Sequence, residues 1–133
     1  MSNVLVDTCV WSTALRSKSK GDRTTANILS QLIDEHRVKL IGPIRQELLS
    51  GCSNKSKYEV LRQKLSYFPN HSILDKDYEA AAEYSNVCRT KGIQGSHIDF
   101  LICAVANRDQ MQIYTSDNDF TRYAKHLPIY LFT

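Results

Sequence analysis

At 133 residues, with 42% apolar and 23% charged residues and a net charge of +3, the chain is sized for one domain with a single core. No apolar run approaches the ~20 residues that span a bilayer, and no basic and then apolar leader is visible at the N-terminus, so a cytoplasmic setting is expected. The four cysteines (Cys9, Cys52, Cys88 and Cys103) form neither a CxxC pair nor a Cys/His cluster, which argues against a zinc site and against a disulfide frame.

Residues 3–6 read as a short buried strand, and Thr8 can cap a helix running through Trp11 to Leu15. Residues 16–23 form a polar, mostly basic loop. Thr24 or Thr25 then caps a helix whose Ile28, Leu29, Leu32 and Ile33 share one face. Residues 38–41 are a second strand, and Gly42-Pro43 opens a helix with proline in its first turn, ending near Gly51. Residues 55–67 make a basic amphipathic helix with Tyr58, Leu61, Leu65 and Phe68 on one side, stopped by Pro69. Residues 72–74 give a weak third strand and residues 77–89 a helix, which Gly92 and Gly95 end. Residues 98–107 are almost wholly apolar, the mark of a central helix packed on several sides. A strand over 112–115, a short helix over 119–126 and a last strand over 129–132 complete the chain. Strands alternating with helices predict a parallel sheet covered on both faces, which binds ligands beyond the carboxyl ends of its strands.

The acidic residues fall at that edge. Asp7 ends Val4-Leu5-Val6, Glu47 lies in the helix after Pro43, Asp99 opens the apolar helix, and Asp117 and Asp119 follow Ile113-Tyr114-Thr115-Ser116. On such apolar stretches a charge is costly to bury alone, and only Arg45 stands close in sequence as an obvious partner. Carboxylates gathered within ~6 Å at an effective dielectric near ~20 repel by about 3 kcal/mol per pair. Such a group takes up protons or binds cations. Hard oxygen donors favour Mg2+, with Mn2+ an alternative, and one or two such ions suit phosphodiester hydrolysis without a nucleophilic side chain. Each acid alone also fits a plainer role: Asp7, Asp117 or Asp119 as a helix cap, Asp99 as a first-turn acid meeting the macrodipole, Glu47 as a solvated residue beside Arg45. With these five set aside, the seventeen basic residues face nine acidic ones. That is either a basic body suited to a polyanion or simply a solvated surface.

Four segments stand in order along the chain: Leu5-Val6-Asp7-Thr8-Cys9-Val10-Trp11, Pro43 through Glu47-Leu48-Leu49 to Gly51, Ile98-Asp99-Phe100-Leu101-Ile102-Cys103-Ala104, and Tyr114-Thr115-Ser116-Asp117-Asn118-Asp119-Phe120. Together they resemble the PIN domain, and in particular the VapC-type toxins of toxin–antitoxin operons. The resemblance implies an α/β, three-layer PIN-like fold with a central five-stranded parallel sheet flanked by helices, as one domain over residues 1–133. It implies a Mg2+- or Mn2+-dependent endoribonuclease acting on structured RNA such as tRNA or rRNA, usually a homodimer, with a cognate antitoxin as partner. Motif matching carries over Asp7, Glu47, Asp99 and Asp117 as catalytic carboxylates. Asp7, Asp99, Asp117 and Asp119 are the implied metal ligands, with Asp117 nearer and Asp119 assisting, and Glu47 binding a second ion or orienting water. Thr8 and Thr115 are candidates to tune the site by hydrogen bonds. Arg16, Lys18 and Lys20, in the basic loop, are candidate phosphate contacts, a solvated loop being the alternative. His97 and Trp11 fit a helix-start and a core position better than a general base and a base-stacking platform. A non-catalytic or regulatory PIN-like binding module is the rival reading. A haloacid-dehalogenase-like phosphatase with Asp7 as nucleophile is disfavoured, because Cys9 stands where a second acid is needed.

Overall fold

All three residues of Val4–Val6 (β1) are buried, so this strand needs helices over both of its faces and takes the middle of a parallel sheet. The structure, a computed structural model, describes residues 1–133. β1 lies between β2 (Val38–Lys39) and β3 (Gln112–Tyr114), with Val4 opposite both Val38 and Gln112, and Val6 opposite Tyr114. Seven helices accompany them in chain order: α1 (Thr8–Arg16), α2 (Lys20–Asp34), α3 (Gly42–Ser50), α4 (Lys55–Leu65), α5 (Asp75–Thr90), α6 (His97–Arg108) and α7 (Asp119–Tyr123). The architecture is α/β with a parallel sheet, as read from the alternation. None of the helices is long and apolar enough to cross a membrane.

The sheet is narrower than the sequence suggested. Three strands form a ladder, and beyond them stand only two single parallel bridges, Leu40 with Asn70 and Ile113 with Leu131. Residues 72–74 are not a strand, because side chains take their backbone groups. Arg108 donates to the Ser72 carbonyl at 2.7 Å and Asp77 accepts the Leu74 N–H at 2.8 Å, after which α5 begins at once. Pro69 and Pro128, just ahead of the two bridges, remove donors that a longer ladder would use.

The basic loop is also shorter than expected. Ser19, not Thr24 or Thr25, caps α2: its hydroxyl accepts the Asp22 N–H at 3.0 Å, and the Asp22 carboxylate takes the Ser19 N–H in return. Only residues 17–19 remain as a turn, so Arg16 is the last residue of α1 and Lys20 the first of α2. Helix α4 stops at Leu65, where the Arg45 guanidinium reaches across from α3 to the carbonyls of Leu65 (3.0 Å) and Phe68.

Helix α6 runs through the core, with Phe100 to Ala106 all buried. It packs along α5, and the pair is pinned at one end by Asp77, the single buried charged residue, whose two oxygens accept from Arg108 Nε at 2.8 and 3.0 Å. Trp11 is buried against Phe68, with ring centroids 5.3 Å apart, and is therefore a core residue.

Candidate metal centre

Parallel pairing of β1 with β3 sets Asp7 beside the segment Thr115–Asp117, and the Asp7 N–H donates to the Tyr114 carbonyl at 2.9 Å. Asp7 caps α1, its Oδ1 accepting the Thr8 N–H at 2.8 Å. Its Oδ2 accepts from the Thr115 hydroxyl at 2.8 Å, and the same hydroxyl oxygen accepts the Asp117 N–H at 3.0 Å. One side chain thus ties the two strand ends together. Cys9 Sγ stands 3.5 Å from both Asp7 Oδ2 and Thr115 Oγ1 and accepts the Ser116 N–H at 3.4 Å. Asp117 then folds the chain into α7 by accepting the Asp119 N–H at 2.9 Å. Thr115→Val keeps the shape and removes the hydroxyl. We expect it to weaken Mn2+ binding by about 10–100-fold, read by calorimetric titration, because groups that orient a metal's ligands carry effects of that order.

Helix α6 brings the next acid. Ser96 caps it by accepting the Asp99 N–H at 3.1 Å, which places Asp99 in the first turn. One carboxylate oxygen from each of Asp99, Asp117 and Asp119 lies within 4.8 Å of the others. Burial pushes the Asp99 carboxyl above its usual range. Hydrogen bonds from Tyr123 and Ser96 pull it back, and the charges of Asp7 and Asp117 add to the rise. Asp7 therefore belongs to the same electrostatic cluster. Tyr123, fully buried on α7, donates its hydroxyl to Asp99 Oδ2 at 2.7 Å.

These donors fit a hard divalent cation. Oxygens held ~2.1 Å from one Mg2+ stand about 3–4.2 Å apart, so three that already lie within 4.8 Å of one another need only close in slightly to share an ion. The donor set is all oxygen, and the one cationic side chain bonded to it is Arg122, which pairs with Asp119 and is itself exposed. That pair corrects the expectation that only Arg45 had an acid to serve. Arg45 is committed to Asn70, Leu65 and Phe68 and makes no bond to Glu47.

Glu47 is not among the three clustered carboxylates. It is exposed on α3 and lines a shallow cleft of about 400 Å³ together with Ser12, Arg16, Gly51 and Lys57. Arg16 donates to Thr13 Oγ1 at 3.2 Å, and Lys18 and Lys20 are exposed. His97 opens α6 at the surface. A separate surface cleft of about 680 Å³ is lined by Ile33, Asp34, His36, Tyr67 and their neighbours and contains none of the catalytic candidates. The residue that sequence reasoning missed is Tyr123. Nothing local marks it, since its acceptor lies twenty-four positions earlier on another helix.

The PIN domain family profile matches residues 4–126. Ribonuclease VapC11 of Mycobacterium tuberculosis is 29% identical over 125 residues, covering 92% of each chain. Among solved structures, FitAcB from Neisseria gonorrhoeae superposes with a TM-score of 0.78 at 23% identity, covering 98% of this chain and 96% of that one. DNA-bound VapBC from Salmonella typhimurium superposes with a TM-score of 0.76 at 15% identity, covering 99% and 98%.

Proposed function

Because this chain belongs to the PIN domain family, we propose that it is a metal-dependent endoribonuclease, the toxin of a toxin–antitoxin pair, acting as one domain over residues 1–133 on structured RNA such as tRNA or rRNA. The observation that carries this reading is the meeting of Asp99, Asp117 and Asp119 oxygens within 4.8 Å, beside Asp7 and at the carboxyl edge of the sheet. The ribonuclease name of a relative that spans nearly the full chain supports the same chemistry. The likeness of the fold to the FitAcB and VapBC structures supports a protein partner of the antitoxin kind.

In this reading Asp7, Asp99 and Asp117 hold Mg2+ or Mn2+, with Asp119 assisting while it shares its charge with Arg122. The cation, when bound, supplies an activated water and charge neutralisation at the phosphate. Thr115 keeps Asp7 aimed at that point, and Asp117 is fixed through its own N–H. Glu47, facing its cleft with Arg16, orients the attacking water or holds a second ion. Arg16, Lys18 and Lys20 draw in the RNA backbone, and a homodimer is the expected assembly. With the bridges at Asn70 and Leu131 read as rudimentary strands, the sheet reaches the five positions that the resemblance implies.

The test is incubation of partner-free protein with total cellular RNA in Mg2+, Mn2+ or EDTA, beside an Asp7→Asn control. Discrete fragments that need metal and vanish in the control are the expected result. Intact RNA in every lane, from folded protein, would overturn the nuclease in favour of a binding module.

A further inference from the structure

Tyr123 closes the site from beneath. Its ring is fully buried between Phe100 and Phe120, with centroid distances of 5.0 and 5.1 Å, and its hydroxyl reaches Asp99 Oδ2 at 2.7 Å. The loop between α5 and α6 covers that hydroxyl with Gly95. A Cβ at Gly95 would fall on the Tyr123 oxygen and within 2.8 Å of its Cζ and 2.9 Å of Phe100 Cζ. Only a residue without a side chain lets the loop pass. The tyrosine–carboxylate contact is therefore shut off from water on the loop side and held by both of its neighbouring rings.

We propose that Tyr123 is a positioning residue for the metal centre: its hydroxyl fixes the orientation of the Asp99 carboxylate, and Gly95 holds the hydroxyl in place. The inference rests on the metal-dependent reading of the site. A carboxylate on a helix turns about its terminal torsion, a broad and nearly two-fold rotation. A hydrogen bond to one oxygen removes that freedom before the cation arrives. Groups that orient metal ligands in this way change affinity by about 10–100-fold when removed. The plainer alternative is that a buried tyrosine merely needs an acceptor and Asp99 is the nearest. That alternative predicts an effect on melting and none on metal.

The experiment titrates Mn2+ into metal-stripped wild type, Tyr123→Phe, Gly95→Ala and Asp99→Asn by calorimetry, with a melting curve for each and RNA cleavage measured across the same Mn2+ range. We expect Tyr123→Phe to stay folded, to bind Mn2+ about tenfold more weakly, and to regain most of its cleavage rate at saturating Mn2+. Gly95→Ala keeps the hydroxyl but displaces it and should weaken Mn2+ binding in the same direction. Unchanged Mn2+ affinity in both variants, with a metal-binding wild type, would overturn the positioning role and leave the nuclease reading standing. A wild type that binds no Mn2+, or an Asp99→Asn protein that binds it equally well, would overturn the metal centre and the inference with it. If Tyr123→Phe unfolds, the Gly95→Ala affinity decides in the same way.

Discussion

Asp99→Asn is expected to abolish RNA cleavage and, in metal-free buffer at neutral pH, to raise the melting temperature of the protein it disables. Both effects have one origin. Asp99 is held among other acids, and its carboxyl is pushed above the usual range by burial first and by Asp7 and Asp117 besides. The folded state therefore keeps the proton better than the unfolded chain does. By linkage, the ionised group costs stability, so metal-free stability falls as pH rises from the ordinary carboxylate range through the raised value. Asparagine has no charge to repel and still offers an oxygen to Tyr123. The gain should show as a higher melting temperature in metal-free buffer that shrinks as the pH is lowered. Added Mn2+ should reverse the order, because only a site with its ligands intact is stabilised by mass action. Cleavage should drop by at least ~100-fold, since a ligand matters more than the outer partners whose loss costs ~10–100-fold. Melting at pH 5 and pH 7, with and without Mn2+, reads the sign directly, and wild-type cleavage by the variant would refute the assignment.

Arg108→Ala should be the most destabilising of the polar substitutions, at about 3–5 kcal/mol, because it strands a buried charge. Asp77 is 2% exposed and has Arg108 and the Leu74 N–H as its partners. The same guanidinium also serves Asp109 at 2.9 Å and the Ser72 carbonyl at 2.7 Å, so its loss undoes the junction of α5, α6 and the segment between α4 and α5. Desolvation by burial pushes the Asp77 carboxyl up, but Arg108 and the Leu74 N–H outweigh it and hold the group below its usual value. Its contribution is thus present above the unfolded value, ~3.9, and is lost as pH falls through the lowered folded value. In Arg108→Ala that dependence should invert, since an unpartnered buried Asp77 gains from protonation. Urea unfolding at pH 4.5 and pH 7 should show the deficit of the variant shrinking at the lower pH. Arg108→Met with Asp77→Leu should recover most of the loss by replacing both charges with apolar volume. An equal deficit at both pH values would argue that Arg108 acts through packing alone.

Signals held within one element were legible in the sequence. The run Val4-Leu5-Val6 ending in Asp7, and the unbroken apolar stretch of α6 opening on Asp99, are enough to place two carboxylates at one sheet edge. Signals shared between elements were not. The Ser19–Asp22 capping box was hidden by the charged residues around it, which read as loop. The apparent strand at 72–74 was dissolved partly by Asp77, which takes the Leu74 N–H, and partly by Arg108, more than thirty positions away, whose claim on the Ser72 carbonyl no local pattern records. Asp119 looked unpaired because Arg122 follows it by one helical turn, after the motif had ended. That Glu47 lies outside the group formed by Asp99, Asp117 and Asp119 is likewise something spacing along the chain does not report.

The curtailed sheet also limits how another molecule can hold this protein. A peptide that joins a sheet edge needs a run of unpaired backbone donors and acceptors, commonly five or six residues long. Here each margin is a single bridge preceded closely by proline, so neither side offers a template on which a foreign strand can zip. Short, proline-flanked margins of this kind disfavour the edge-to-edge stacking that leads open sheets to aggregate. An inhibitor built as an extended strand should therefore fail to bind at either margin of the sheet.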